Sequence, residues 1–284
     1  MGKHRPVLVT GGGGQVGKAF RKVYPEATVL DRTSLDITDS AGIDEVLRKV
    51  RPRVVVNAAA YTRVDAAEAE ADLARRINVT AVSELARAAN RLGALLVHFS
   101  TDYVFSGDKQ GRYVEEDAPN PRSVYGQTKL ESEGAARGAG EHLIVRTSWV
   151  FGDGTNFVRS IVAAARNRPE LNVVDDQRGL PTYAPDLAEA VDSLIAGEAR
   201  GLFHVAGGGD PGSWAEVAET AVGAAGLEAR IRRVTTEQYY SGKPGPVAPR
   251  PANSALDCSK ARKFGVNMRP WREAVEAYVK ELDQ

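Results

Sequence analysis

Tyr125 and Lys129 stand four residues apart in the stretch Tyr125-Gly126-Gln127-Thr128-Lys129. On a helix that spacing stacks the two side chains on one face, one turn over the other. A free phenol titrates at about 10, so it exchanges protons poorly at neutral pH. A lysine ammonium one turn away favours the phenolate and lowers that pKa, which makes the tyrosine a usable general acid or base. Far upstream, Gly11, Gly14 and Gly17 give the spacing GxxGxxG, with Gln15 and Val16 between the last two. Glycines so placed allow a tight turn and close backbone approach to a pyrophosphate, which rests on the N-terminus of the helix that follows.

More residues suit the same chemistry. Asp31 comes twenty positions after Gly11, where an acidic side chain bonds the adenosine ribose hydroxyls. Arg32 beside it could instead meet a 2′-phosphate, so the choice between NADH and NADPH stays open. Asp36-Ile37 is similar to the acidic-apolar pair that holds adenine in related folds, and Asp36 could equally cap a helix over 41–50. Ala58, Ala59 and Ala60 are small enough to let backbone lie against a cofactor. Thr101, Asp102 and Tyr103 follow an apolar strand, and chemistry in open α/β sheets sits outside the carboxyl ends of the strands.

These residues need elements to hold them. Val7-Leu8-Val9-Thr10 reads as a buried first strand, and the glycine turn leads from it into a helix over 18–23. Strands are expected at 28–30, 54–60, 95–100 and 143–147, with a polar segment, 61–68, leading into a long alanine-rich helix that runs to about Asn90. The Tyr125 helix is expected to reach about Glu133. Such alternation predicts a Rossmann-type, doubly wound α/β fold around a mostly parallel sheet. After Asp153 the pattern loosens. Helices are expected at 156–166, 187–195, 213–225 and 271–282, a short strand starts at Val173, and 202–205 returns to the main sheet. A Pro-rich stretch, Lys243 to Pro251, lies between the last two helices. The division expected is a dinucleotide-binding domain of 1–151 and 183–206, with a smaller α/β substrate-binding lobe of 152–182 and 207–284.

Composition narrows the class. The 284 residues carry 37 basic and 37 acidic side chains, 43% are hydrophobic, and no charge block or basic stripe suggests nucleic acid. No apolar run approaches the ~20 residues that span a membrane. Met1 to Pro6 is short and polar, unlike a signal peptide. Cys258 is the one cysteine, so no intrachain disulfide can form and a reducing cytoplasm is the expected setting. His4, His98, His142 and His204 are far apart and no acidic cluster joins them, so no metal is expected; His98 and His204 fall on expected strands as structural residues.

The stretches GGGGQVG, RPRVVVNAAAYTRVDAAEAE, HFSTDYVFSG, YGQTKLESE, RTSWVFGDGTNF, DDQRGLPT and RPANSALD together resemble the extended short-chain dehydrogenase/reductases, and most of all their dTDP-4-dehydrorhamnose reductase branch. The resemblance covers essentially the whole chain. It implies an NADPH- or NADH-dependent reduction of the 4-keto group of dTDP-4-dehydro-β-L-rhamnose to dTDP-β-L-rhamnose. Tyr125 would give a proton to the sugar carbonyl oxygen. Lys129 would bond the nicotinamide ribose, and Thr101 would bond the same carbonyl oxygen. Tyr103 and Trp149 would flank the hexose, with Asp102 beside them, while Asn156 and Arg250 would contact the diphosphate through groups suited to it. A homodimer is the assembly this branch suggests. Three rivals share the scaffold: an epimerase or dehydratase, against which Thr101-Asp102-Tyr103 offers one acid and no adjacent glutamate; a reductase of another dTDP-4-keto-6-deoxysugar, as in antibiotic sugar synthesis; and, last, a non-catalytic subunit resembling the regulatory subunit of methionine adenosyltransferase. Intact Thr101, Tyr125 and Lys129 count against the non-catalytic subunit.

Overall fold

A computed structural model describes residues 6–282; His4 and the polar start lie outside them. The first half alternates strand and helix. β1 (Val7–Thr10) feeds the glycine turn and α1 (Gln15–Val23); β2 (Thr28–Leu30), α2 (Ser40–Val50) and β3 (Val54–Asn57) follow. Three short helices, α3 (Val64–Ala67), α4 (Ala71–Arg75) and α5 (Ala81–Arg91), lead to β4 (Leu95–Thr101). Then come α6 (Val124–Ala136) and β5 (His142–Thr147). The expected alanine-rich helix is present as one continuous run, 71–91, in which α4 and α5 are joined by a widened turn. Arg76–Thr80 between α4 and α5 is a wide π-turn. It carries buried Asn78, whose Oδ1 accepts from the Tyr61 N–H at 2.8 Å and whose Nδ2 donates to Thr128 Oγ1 at 3.0 Å. A polar side chain that must reach two neighbours is the reason for the bulge, as π-turns generally mark such demands.

Downstream lie β6 (Val150–Phe151), α7 (Phe157–Ala165), β7 (Glu170–Val174), β8 (Arg178–Gly179), β9 (Thr182–Tyr183), α8 (Ala184–Ala196) and β10 (Gly201–His204). The chain closes with β11 (Gly212–Ser213), α9 (Trp214–Ala224), β12 (Arg230–Val234), α10 (Thr236–Tyr240), α11 (Ser259–Arg262) and α12 (Trp271–Leu282). β10 does return to the main sheet, beside β5.

The six main strands run parallel in the order β10-β5-β4-β3-β1-β2. The chain order reverses between β1 and β3, the point where ligands of such sheets bind. A parallel sheet must be covered on both faces. On one face Val9, Val56, Val97, Phe99 and Val145 pack against Phe20 of α1 and Leu187, Val191 and Leu194 of α8. On the other, Leu8, Val55, Leu96 and Ile144 meet Ile43 and Leu47 of α2 and Val82 and Leu85 of α5. A separate apolar cluster joins α7, α9, α12 and the parallel pair β7–β12 around Trp271, Ile161, Val173 and Val275. No helix among the described residues is long and apolar enough to cross a membrane.

Candidate active site

α6 begins at Ser123, whose Oγ accepts from the Gly126 N–H at 3.1 Å and so caps the helix. Gly126 is required by space: a Cβ there would lie 2.4 Å from the Tyr103 carbonyl oxygen. The helix therefore rests directly on the backbone that follows β4. That contact brings Tyr125 to Thr101 and Tyr103; the two tyrosine rings meet edge to face at 5.5 Å. The Thr101 hydroxyl stands near the Tyr125 phenol and lowers its pKa. It donates to Asp102 Oδ1 at 2.9 Å. Burial pushes the Asp102 carboxyl up to about 6.

The electrostatics differ from the expectation that Lys129 acidifies Tyr125. Burial pushes the phenol up to about 12, with the nearby Thr101 hydroxyl opposing the rise and the Asp102 charge adding to it. Lys129 is itself buried, which lowers its ammonium to about 8 against the pull of Glu133. Its Nζ donates to the Phe99 carbonyl at 2.6 Å. The expected Lys129 effect is not among the causes acting on the phenol, whose pKa is set chiefly by desolvation. At neutral pH the pair is a protonated phenol beside an ammonium, an arrangement suited to giving a proton.

The cofactor candidates converge as expected at the strand-order reversal. Gly11, Gly14, Asp31, Arg32, Asp36, Ile37, Ala58, Ala59 and Ala60 line one cleft of about 430 Å³. Gly11 has φ of +71°, and a Cβ there would lie 2.5 Å from the Ala59 nitrogen; only glycine lets the turn lie against β3. Gly17 is equally tight, with a Cβ 2.3 Å from the Gly11 oxygen. Gln15 and Val16 depart from their expected place. The Gln15 side chain lines a separate cleft with Lys18 and Arg159, and Val16 packs towards the core beneath the sheet. Only their backbone N–H groups, at the start of α1 and without helical partners, suit an anion.

Asp31 Oδ1 accepts four bonds, from the N–H and hydroxyl of both Thr33 and Ser34, at 2.7–3.0 Å. Those bonds hold its carboxyl down to about 2. Asp36 does not cap α2. That cap is Asp39, whose Oδ1 accepts from the Ala41 N–H at 3.0 Å, and Asp36 instead accepts from Thr38. Sequence reasoning missed Arg76, which the π-turn delivers into the cleft beside Arg32; nothing local in the sequence announces that turn.

A second cleft, of about 290 Å³, lies next to Tyr103 and is walled by Phe157, Gln177, Trp214, Tyr239, Tyr240 and Arg250. Trp149 stacks on Trp214 at 3.7 Å, nearly parallel, and Trp214 Nε1 donates to Gln177 Oε1 at 3.2 Å. Arg250 lies 4.7 Å over the Tyr240 ring and donates to Asp65 Oδ2 at 2.8 Å. Asn156 is not free for a ligand, contrary to expectation. Its Oδ1 caps α7 through the Arg159 N–H, and its Nδ2 donates to the Gly152 carbonyl at 2.7 Å and to the Tyr278 hydroxyl at 2.8 Å. Helix capping has used the side chain that the resemblance assigned to a diphosphate. Trp214, Tyr239 and Tyr240 were missed, because they reach the cleft from α9 and α10, segments far in sequence from Tyr103. No group of His, Cys, Asp and Glu among the described residues has the arrangement of a metal site.

Residues 5–284 match the family described as RmlD substrate binding domain. The chain belongs to that family. Members of known name cover it almost end to end. It is 38% identical to the dTDP-4-dehydrorhamnose reductase of Aggregatibacter actinomycetemcomitans over 95% of this chain and 97% of the relative. It is 40% identical to the spore coat polysaccharide biosynthesis protein SpsK of Bacillus subtilis, over 97% of each. Among solved structures, the dTDP-4-dehydrorhamnose reductase of Bacillus anthracis in complex with NADP has a TM-score of 0.91 at 35% identity, covering 98% of this chain and 99% of that one. The Clostridium acetobutylicum reductase has a TM-score of 0.92 at 36% identity, covering 98% and 100%.

Proposed function

We propose that this chain is an NAD(P)H-dependent oxidoreductase that reduces the 4-keto group of dTDP-4-dehydro-β-L-rhamnose to dTDP-β-L-rhamnose. The observation that carries the reading is the placement of Tyr125 at the mouth of β4, edge to face with Tyr103 at 5.5 Å and near the Thr101 hydroxyl. On one side is the glycine-lined cleft and on the other the aromatic one. The glycine turn, the free N–H groups of α1 and the Arg32–Asp36 wall fit a dinucleotide, and relatives of this family support NADP as a ligand. Reduced nicotinamide supplies the hydride.

The chain's own groups supply the rest. The carbonyl carbon gains a hydride while its oxygen takes the Tyr125 proton, which leaves an alcohol and a phenolate. A phenol at about 12 still yields its proton to a forming alkoxide, whose basicity is nearer that of hydroxide, water titrating at about 15.7. Thr101 turns its one hydroxyl hydrogen from Asp102 to the same oxygen as charge develops there. Lys129, ammonium below about 8, holds the nicotinamide ribose and steadies the phenolate. Trp149, Trp214, Tyr103 and Tyr240 offer flat faces to the base and hexose, and Arg250 offers a guanidinium fork to a phosphate. Residues 1–151 and 183–206 hold the dinucleotide in this reading; 152–182 and 207–284 hold the sugar nucleotide. A homodimer and a cytoplasmic setting complete it, the latter supported by the lone buried thiol of Cys258.

A coupled assay tests the function. dTDP-glucose is converted by a 4,6-dehydratase, with or without a 3,5-epimerase, and offered with NADPH or NADH while nicotinamide absorbance is followed. Oxidation that needs the epimerase is expected. Oxidation without it would assign another dTDP-4-keto-6-deoxysugar, and no oxidation at all would remove the reductase reading.

A further inference from the structure

Thr10, Asn57 and His98 are register partners on the adjacent strands β1, β3 and β4. All three are buried and form a polar row across the sheet. The row continues into α6. Thr10 Oγ1 lies 2.7 Å from Asn57 Oδ1, Asn57 Nδ2 lies 3.2 Å from His98 Nδ1, and His98 Nε2 lies 2.8 Å from Ser132 Oγ. Ser132 Oγ in turn stands 2.6 Å from the carbonyl oxygen of Lys129.

That last contact fixes the direction of every other. A carbonyl only accepts, so the single Ser132 hydroxyl hydrogen goes to Lys129. Ser132 Oγ must then accept from His98 Nε2–H. His98 Nδ1 carries no proton and accepts from the Asn57 amide, which turns Asn57 Oδ1 towards the Thr10 hydroxyl. Each hydrogen is used once. The opposite tautomer would leave two acceptors facing each other between Ser132 and Lys129, a costly defect in a buried site.

We infer that His98 is a positioning residue: its neutral Nε2–H tautomer ties the backbone of Lys129, through Ser132, to the strand row that ends at the glycine turn. The inference rests on the reading that Lys129 holds the nicotinamide ribose. The row links the two parts of the dinucleotide site, since Thr10 immediately precedes Gly11 and Lys129 stands at the other end of the chain of bonds. Burial, with the nearby Lys129 charge, keeps the imidazole far below its ordinary pKa and hence neutral. A neutral, directional ring can hold the helix without repelling the ammonium beside it.

The test uses the full chain and three variants. Nitrogen NMR of histidine-labelled protein should show one imidazole protonated at Nε2 that stays so as the pH falls to about 5, well below the ordinary histidine range. That signal should vanish in His98→Gln. Gln offers an acceptor and a donor in place of the ring, so His98→Gln should bind NADPH within about twofold of the parent. His98→Phe leaves Asn57 and Ser132 facing an apolar ring; NADPH binding, read by cofactor fluorescence, should weaken about tenfold. Its kcat should fall while KM for the sugar nucleotide holds. Ser132→Ala removes the link to Lys129 together with the acceptor of His98 Nε2–H while keeping the ring, and should move NADPH affinity in the same direction, which keeps the test decisive if His98→Phe does not fold. An Nδ1–H imidazole would overturn the inference, as would parental NADPH affinity in folded His98→Phe or in Ser132→Ala. The NMR and NADPH readouts need no sugar, so a failed sugar assay in the parent counts against the reductase reading alone.

Discussion

Strands β4 and β5 present one backbone to two different neighbours. Towards α1 and α8 they show Leu95, Val97, Phe99, Leu143 and Val145, an apolar surface with no chemistry in it. Towards α6 they show His98, Ser100 and Arg146, all buried and all bonded to that helix. Arg146 makes a bidentate pair with Glu133 at 2.7 and 2.9 Å, and Ser100 Oγ adds a bond to Glu133 at 2.6 Å. His98 reaches Ser132 at 2.8 Å. Apolar packing tolerates small shifts, because dispersion has little directional preference. Hydrogen bonds do not. The helix that carries Tyr125 and Lys129 is thus fixed by directional contacts, whereas the opposite face is held by volume alone. The lesson is that burial serves two ends in one sheet, cohesion on one side and alignment on the other.

That contrast can be broken or sharpened, starting with the largest effect. Tyr125→Phe should lower kcat by about 10²–10⁴, the usual yield of a positioned acid, and leave NADPH binding intact by fluorescence titration; full activity would take Tyr125 out of the chemistry. Arg146→Met strands the Glu133 carboxylate and should cost about 3–5 kcal/mol in denaturant unfolding. It should also lower kcat in the folded fraction. Leu143→Ala, on the apolar face, should cost about 2–5 kcal/mol yet leave kcat per folded molecule unchanged. Equal kcat losses in these two variants would erase the distinction between the faces.

The pH profile sharpens it further. Lys129 is an ammonium below about 8, while Tyr125 keeps its proton up to about 12. NADPH-dependent kcat/KM should therefore fall as pH rises through about 8, and Glu133→Gln should move that limb to lower pH, because the carboxylate favours the ammonium. Between about 8 and 10.5 the unfolded chain keeps a proton that folded Lys129 has released, so this residue makes folding more favourable as pH rises across that window. The smallest effect belongs to the exposed Arg75–Glu131 pair, at 2.9 Å. Arg75→Ala should change unfolding free energy by less than about 1 kcal/mol.

Local signals were legible in the chain and non-local ones were not. The glycine spacing, the Tyr125–Lys129 interval and the period of β4 depend on neighbours in sequence, so Gly11, Ala58, Thr101 and Lys129 fell where expected. The sign of the Tyr125 shift depended on burial, which is a property of the assembled fold. Asn156 resembled a ligand contact until the cap of α7 used it. Arg76 entered the cleft only through a π-turn that alanine-rich composition concealed, and the Trp149–Trp214 stack joins residues from separate segments. Capping chemistry misled at Asp36 for a related reason: Asp36 and Asp39 are both good caps, and the helix start chose between them.

The link between Arg250 and Asp65 crosses 185 positions of chain. Every residue lining the glycine-bearing cleft, from Gly11 to Ile77, precedes residue 80. The aromatic cleft needs Trp214, Tyr240 and finally Arg250. Synthesis runs from the N-terminus at about 5–20 residues per second. A growing chain thus carries all the side chains of its dinucleotide wall roughly ten seconds or more before the guanidinium that completes its other wall leaves the ribosome. The two halves of the site have different birthdays, and Asp65 waits without its arginine for most of the interval.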